Sequence, residues 1–149
     1  ADVQLQHVPY RGTAAAMPEV IGGHIPLMMD NRGTSLQQLH SGKVRALAFT
    51  GTTRSPQLPQ VPTFIELGYA GMEATNFYGL FVPAGTPKEI VRRLNLEATR
   101  VFSAADVKRQ FLTAGAEALT STPEEFSSYL QLQSNKWGAL IRSRGIKAD

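Results

Sequence analysis

The chain has 149 residues, 42% of them hydrophobic and 18% charged, which is about one domain's worth of material and enough to bury roughly 70% of its unfolded surface. Fifteen Lys and Arg against twelve Asp and Glu leave a formal charge of +3, with Arg supplying ten of the fifteen cations; that excess is too small to argue for nucleic acid, and Arg favours planar carboxylate or phosphate partners. Zero cysteines exclude a disulfide scaffold, a thiolate nucleophile and a cysteine-ligated metal, and no apolar run approaches the roughly 18 residues of a membrane span.

The opening Ala1-Asp2-Val3-Gln4 is neither an initiator Met nor a basic and apolar signal peptide, so the reading here is a processed product or a piece of something longer. Residues 3–8 alternate as a short strand, 13–21 are Ala-rich and helix-like, 25–29 form an apolar run of strand length, 35–40 a short helix and 44–49 a second buried run. Strand, helix, strand, helix, strand predicts an α/β fold with parallel pairing, and continuous apolar runs suit strands covered on both faces. Residues 51–62, with Gly51, Pro56, Pro59 and Pro62 among polar neighbours, read as a loop.

Thr63 then opens a short helix as a capping box with Glu66, and Gly68 fits its left-handed stop. Residues 76–82 read as a strand that ends at Pro83-Ala84-Gly85. Thr86-Pro87-Lys88-Glu89 and Thr122-Pro123-Glu124-Glu125 each place a capping hydroxyl, a proline at the first helical position and a glutamate at the third. The first of these helices carries Ile90, Leu94, Ala98 and Val101 on one face; the last carries Phe126, Tyr129, Leu130, Gln133, Trp137, Leu140 and Ile141. Between them, 106–113 read as a helix closed near Gly115, and 117–119 as a short strand. One short strand cannot cover two long amphipathic helices. They pack on the sheet of the first half, or on a sheet supplied from outside this sequence.

Little in the sequence resembles catalysis. His7, His24 and His40 lack metal-ligand spacing, no nucleophile elbow, dinucleotide fingerprint or Walker pattern occurs, and helix capping accounts for Glu124-Glu125. No metal and no cofactor is expected. Two strand-end segments remain. In Pro9-Tyr10-Arg11-Gly12-Thr13 the chain leaves a strand, turns at a glycine and enters a helix at a hydroxyl cap, a place that attracts an anion or is a plain strand-to-helix turn. In Met29-Asp30-Asn31-Arg32-Gly33, Asp30 and Asn31 stand where ligands of open α/β sheets sit, or bond their own backbone in an Asx-turn. A third cluster, Asn76-Phe77-Tyr78-Gly79, places an aromatic pair at a strand start, as a pocket wall or as ordinary core.

The order of segments is more specific than any one of them. His7-Val8-Pro9-Tyr10-Arg11-Gly12, Ile21-Gly22-Gly23 before Asp30-Asn31, Gly42-Lys43-Val44-Arg45-Ala46-Leu47-Ala48, Arg54-Ser55-Pro56 with Pro59-Gln60-Val61-Pro62-Thr63, Tyr78 through Pro87, and Gly115-Ala116-Glu117 together resemble the Bug family, the extracytoplasmic solute receptors of tripartite tricarboxylate transporters. The resemblance runs from about His7 to Ile146. It implies a periplasmic binding protein of two-lobed, type II-like architecture that captures a small carboxylate and delivers it to a membrane permease, and is not an enzyme. Family members are about twice this length, so the chain resembles a carboxyl-terminal half. Residues 1–75 would be part of the second lobe, a three-layer α/β lobe with a parallel-rich sheet; 76–83 the interlobe crossing strand; and 84–149 helices that pack on the first lobe.

Positions matching the family's pocket-lining motifs are Tyr10, Arg11, Gly12, Thr13, Asp30, Asn31, Phe77, Tyr78 and Gly79. Arg32 departs from the family's aliphatic or small residue, and either adds a cation for a second carboxylate or faces solvent. The two loops that hold the ligand carboxylate in the family would lie upstream of Ala1, so the chain alone should bind dicarboxylates weakly or not at all. Its partners would be the carboxylate, the permease subunits and a missing amino-terminal half or a swapped second copy. Competing readings are a self-contained or domain-swapped α/β module, an enzyme using Asp30 and Arg11 on an anionic substrate, and nucleic-acid binding through Arg142, Arg144 and Lys147, the last disfavoured because cations already suit a helix end.

Overall fold

The structure, a computed structural model, describes residues 3–147. In chain order its helices are α1 (Thr13–Ile21), α2 (Arg32–His40), α3 (Lys88–Ser103), α4 (Ala105–Thr113) and α5 (Pro123–Arg144). The chain divides into two compact units. The first runs through Gly79 and also takes in Ala114–Ala116; the second holds Leu80–Thr113 and the residues from Glu117 on.

The first unit is organised around a small core in which Leu36 of α2 meets Leu58 and Val61, with Leu39, Ala46 and Phe49 packed against them. Two of its three buried members come from the proline-rich connection, which is a loop as expected but a core-forming one. Ser55 and Thr63 are buried there as well. Successive turns fold it inward: the Leu58 amide donates to Ser55 O and the Val61 amide to Leu58 O, both at 3.0 Å. Prolines fix the backbone between these turns and lower the entropy lost on ordering it.

The segments expected as strands are not helical, but among the described residues they are not joined into a hydrogen-bonded ladder. One parallel bridge links Phe49 with Thr63, through Phe49 N–H to Pro62 O at 2.8 Å and Phe64 N–H to Phe49 O at 3.0 Å. Apolar patterning is enough to favour extended backbone, whereas a ladder needs a neighbour in register about 4.8 Å away. The capping-box bonds at Thr63 are made: its amide donates to Glu66 Oε2 at 2.7 Å, and the Glu66 amide donates to Thr63 Oγ1 at 3.1 Å. The residues after it form turns rather than a helix, and Gly68 takes the left-handed conformation at φ 85°. The Arg54 guanidinium, bonded to Glu66 at 2.9 Å and to Pro59 O at 3.0 Å, ties that turn to the loop; this bond and the Thr63 amide hold the Glu66 carboxyl below its usual range.

Three helix starts differ from expectation. Gly12, not Thr13, is the N-cap of α1; α2 begins at Arg32 behind Asn31, three residues before Ser35; and α3 begins at Lys88 behind Pro87. At α1 and α3 the hydroxyl expected to cap donates elsewhere. Thr86 Oγ1 donates to Pro83 O at 2.8 Å and closes the preceding turn, while Thr13 bonds to Asp30. The start of α5 is as expected: Thr122 and Glu125 form a complete capping box with Pro123 at the first position, and Gly145 closes the helix in the left-handed region.

In the second unit α3 packs with α4 and α5. Phe102 meets Phe111 edge to face at 5.5 Å, Phe81 lies 5.6 Å from Phe126, and Asn95 Nδ2 donates to Ser121 O at 2.8 Å. No described residue of α3, α4 or α5 is buried. On α3, Ile90, Leu94 and Val101 remain 48%, 51% and 53% exposed, so the apolar stripe read from the sequence lies at the surface. Because both reciprocal bonds of the Thr122 box are present, Thr122→Ala should cost about 1 kcal/mol, read as a lower urea midpoint with an unchanged slope. Thr86→Ala, which removes no helix cap, should cost less.

Candidate functional site

The proposed pocket-lining residues all belong to the first unit, and their organising group is the carboxylate of Asp30. Thr13 Oγ1, from the first turn of α1, donates to Asp30 Oδ1 at 2.5 Å. From the first turn of α2, Ser35 Oγ donates to Oδ2 at 2.5 Å, and Thr34 Oγ1 lies 2.8 Å from the same oxygen. The hydroxyl of Thr34 is also 2.8 Å from Asn31 O. Part of the Asx-turn alternative is therefore present, since Asp30 bonds residues of its own helix start. The Thr13 bond goes beyond it and spans 17 residues.

Two opposed effects act on the Asp30 carboxyl. Partial burial raises its pKa; the hydroxyls of Ser35, Thr13 and Thr34, with the Asn31 backbone, outweigh burial and hold it below its ordinary value of 3.8. A carboxylate has about four lone-pair sites, and these donors occupy most of them.

Asn31 is linked to the aromatic segment: Asn76 Nδ2 donates to Asn31 Oδ1 at 3.1 Å. The approach to that segment is fixed by Thr50, whose carbonyl accepts from the Ala74 amide at 3.1 Å and whose hydroxyl donates to Ala74 O at 2.7 Å. Phe77 is 38% and Tyr78 88% exposed. At the start of α1, the Gly12 amide donates to Tyr10 O at 2.8 Å, and Gly12 has φ 92°, which only glycine adopts without strain. Tyr10 and Arg11 are exposed. The structure thus brings Thr13, Asp30 and Asn31 together with Asn76. Among the described residues, no hydrogen bond or ring contact joins Tyr10, Arg11 or Tyr78 to Asp30.

Arg32 follows neither of its expected alternatives. Its Nε donates to Gly115 O and its Nη1 to the buried hydroxyl of Ser55, both at 2.8 Å, and the guanidinium lies 5.9 Å from the centre of the Phe49 ring. The side chain is a strut that fastens Ala114–Ala116 to the first unit. Gly33 and Gly115 permit this closeness: a Cβ on Gly33 would meet Ala114 O at 2.6 Å, and one on Gly115 would meet Gly33 Cα at 2.6 Å. Sequence reasoning missed Thr34, Ser35 and Asn76 as partners of the site. The hydroxyls four and five residues after Asp30 carried a usable local signal; the pairings of Asn76 with Asn31 and of Arg32 with Gly115, 45 and 83 residues apart, carried none.

Asp30 has a lowered folded pKa, so its contribution to stability is full above the unfolded value near 3.8 and is lost as pH falls through the lower folded value. Thermal melts from about pH 6 down to about pH 3 should therefore show an acid limb that Asp30→Asn makes shallower, with the variant less stable than the parent at neutral pH.

A family model described as tripartite tricarboxylate transporter family receptor matches residues 1–146. The chain is 36% identical over its full length to a UPF0065 protein of Pseudomonas sp. strain P51, covering 45% of that protein. Among solved structures, an R. palustris protein with adipate superposes with a TM-score of 0.84 at 29% identity, over 97% of this chain and 48% of that one. The periplasmic binding protein BugD superposes with a TM-score of 0.80 at 35% identity, over 99% and 50%. The chain spans about half the length of these relatives. Its α/β fold is that of a periplasmic-binding-protein lobe, and the order of motifs, the superposition and the family match together establish that this chain belongs to the tripartite tricarboxylate transporter receptor family.

Proposed function

We propose that this chain is the carboxyl-terminal part of a periplasmic receptor that captures a small carboxylate (a di- or tricarboxylate, an amino acid or an aromatic acid) and hands it unchanged to the membrane permease of a tripartite tricarboxylate transporter. The observation that carries this reading is the superposition on a family relative solved with adipate, at a TM-score of 0.84. In this reading residues 1–75 belong to the second lobe, 76–83 to the crossing strand and 84–149 to helices that pack on the first lobe.

The roles follow from the chemistry of the residues. The start of α1, which carries no side-chain cap, offers main-chain N–H groups, and Arg11 adds a charge-assisted bond to a solute carboxylate. Gly12 lets the backbone approach the solute. Asp30 and Thr13 set the polar end of the pocket, Asn31 contributes an amide, and Phe77, Tyr78 and Gly79 form an apolar wall. Closure would be a hinge motion stabilised by a solute that touches both lobes. The exposed stripe of Ile90, Leu94 and Val101 supports a covering partner, either an amino-terminal half or a swapped second copy, which gel filtration distinguishes by a monomer or a dimer of this chain.

With half of a receptor's contacts, adipate should bind this chain with millimolar affinity. In an NMR titration the Gly12, Thr13, Asn31 and Gly79 amides should shift together, and Arg11→Ala should weaken binding about tenfold, as expected for loss of one charge-assisted bond. Micromolar affinity, or shifts confined to other residues, would overturn the reading.

A further inference from the structure

We infer that Arg32 is a positioning residue that carries solute capture from the first unit to the stretch where the chain returns from the second. The inference rests on the receptor reading, since it takes Asn31 and the start of α1 as solute contacts; Arg32 itself touches no solute.

The chain leaves the first unit after Gly79, re-enters it for Ala114–Ala116 and leaves it again at Glu117. This short excursion follows directly on the end of α4 at Thr113, so whatever holds it also holds the residues on either side. Arg32 is the first residue of α2, behind the N-cap Asn31. Its Nε donates to Gly115 O and its Nη1 to the hydroxyl of Ser55, both at 2.8 Å, and Ser55 is buried with the loop core. One planar group therefore binds the excursion and the core in a single fork of fixed shape, which a lysine ammonium cannot reproduce.

The backbones are as closely coupled as the side chain. A Cβ on Gly33 would meet Ala114 O at 2.6 Å, and one on Gly115 would meet Gly33 Cα at 2.6 Å, so the first turn of α2 lies against the excursion with no side chain between them. Planar peptides packed this tightly pass a displacement on rather than absorb it. Asn31 belongs to the same turn, because its carbonyl accepts from the Thr34 and Ser35 amides at 3.2 and 3.1 Å. A solute that bonds to Asn31 draws on that turn, and Arg32 delivers the shift to Ala116 and Glu117.

The test is an NMR titration of the chain with adipate at pH 7. In the parent, the Ala116 and Glu117 amides should shift along the same saturation curve as those of Gly12 and Thr13. In Arg32→Met the Ala116 and Glu117 shifts should fall roughly threefold or more, as expected when the network between two sites is cut, while those of Gly12 and Thr13 keep their size. Arg32→Lys, which retains the charge without the fork, should show the same fall, and it carries the test if circular dichroism shows that the Met variant does not fold. Arg54→Met removes a guanidinium that ties down another turn of the first unit and should leave every shift as in the parent. A parent in which Gly12 and Thr13 respond and Ala116 and Glu117 do not overturns the inference and leaves the receptor reading intact. A response that survives Arg32→Lys, or one that Arg54→Met also abolishes, overturns it as well; no shift at any amide overturns both.

Discussion

One carboxylate holds the polar side of the first unit in place. Asp30 gathers hydroxyls from the first turns of α1 and α2, so two helix starts separated in sequence are fixed against the same group. Hydrogen bonds to a charged acceptor are stronger than neutral ones, and a helix N-terminus beside a carboxylate is electrostatically favourable. Both effects act in the same direction here. They keep the group ionised and fix Thr13 of the Tyr10–Thr13 turn against the Asp30–Asn31 turn.

A second fixed point is the Arg32 guanidinium, where the bonds to Gly115 and Ser55 would lose their geometry with lysine, which cannot present two donors in a planar fork. The glycines on either side matter for a steric reason, because the two backbones approach too closely for a Cβ on Gly33 or Gly115. The Ala114–Ala116 stretch, though flanked on both sides by residues of the second unit, is thereby part of the first.

Membership of the receptor family places a small, loop-supported core and half-exposed amphipathic helices in context. The relatives are about twice as long, and only five hydrophobic residues among those described are buried. Ile90, Leu94 and Val101 of α3 remain about half exposed.

The sequence by itself determined what depends on neighbours along the chain: the extent of α1, the complete cap of α5 at Thr122 and Glu125, the left-handed conformation of Gly68 and the family to which the order of motifs belongs. It marked Asp30, Asn31 and Thr13 as candidates, because apolar runs that turn into helix starts are legible from turn residues, and left an Asx-turn or a plain turn as the alternative. Tertiary structure decided which partner each polar side chain took. Thr13 and Thr86 looked like caps, yet the N-cap positions fall on Gly12 and Pro87, and the two hydroxyls are oriented as donors to Asp30 and to Pro83 O. Likewise the loop that carries Leu58 and Val61 reads as polar and irregular, and only its folding back onto Leu36 makes it core. Those choices turn on distances between residues far apart in the chain, which local patterning does not encode.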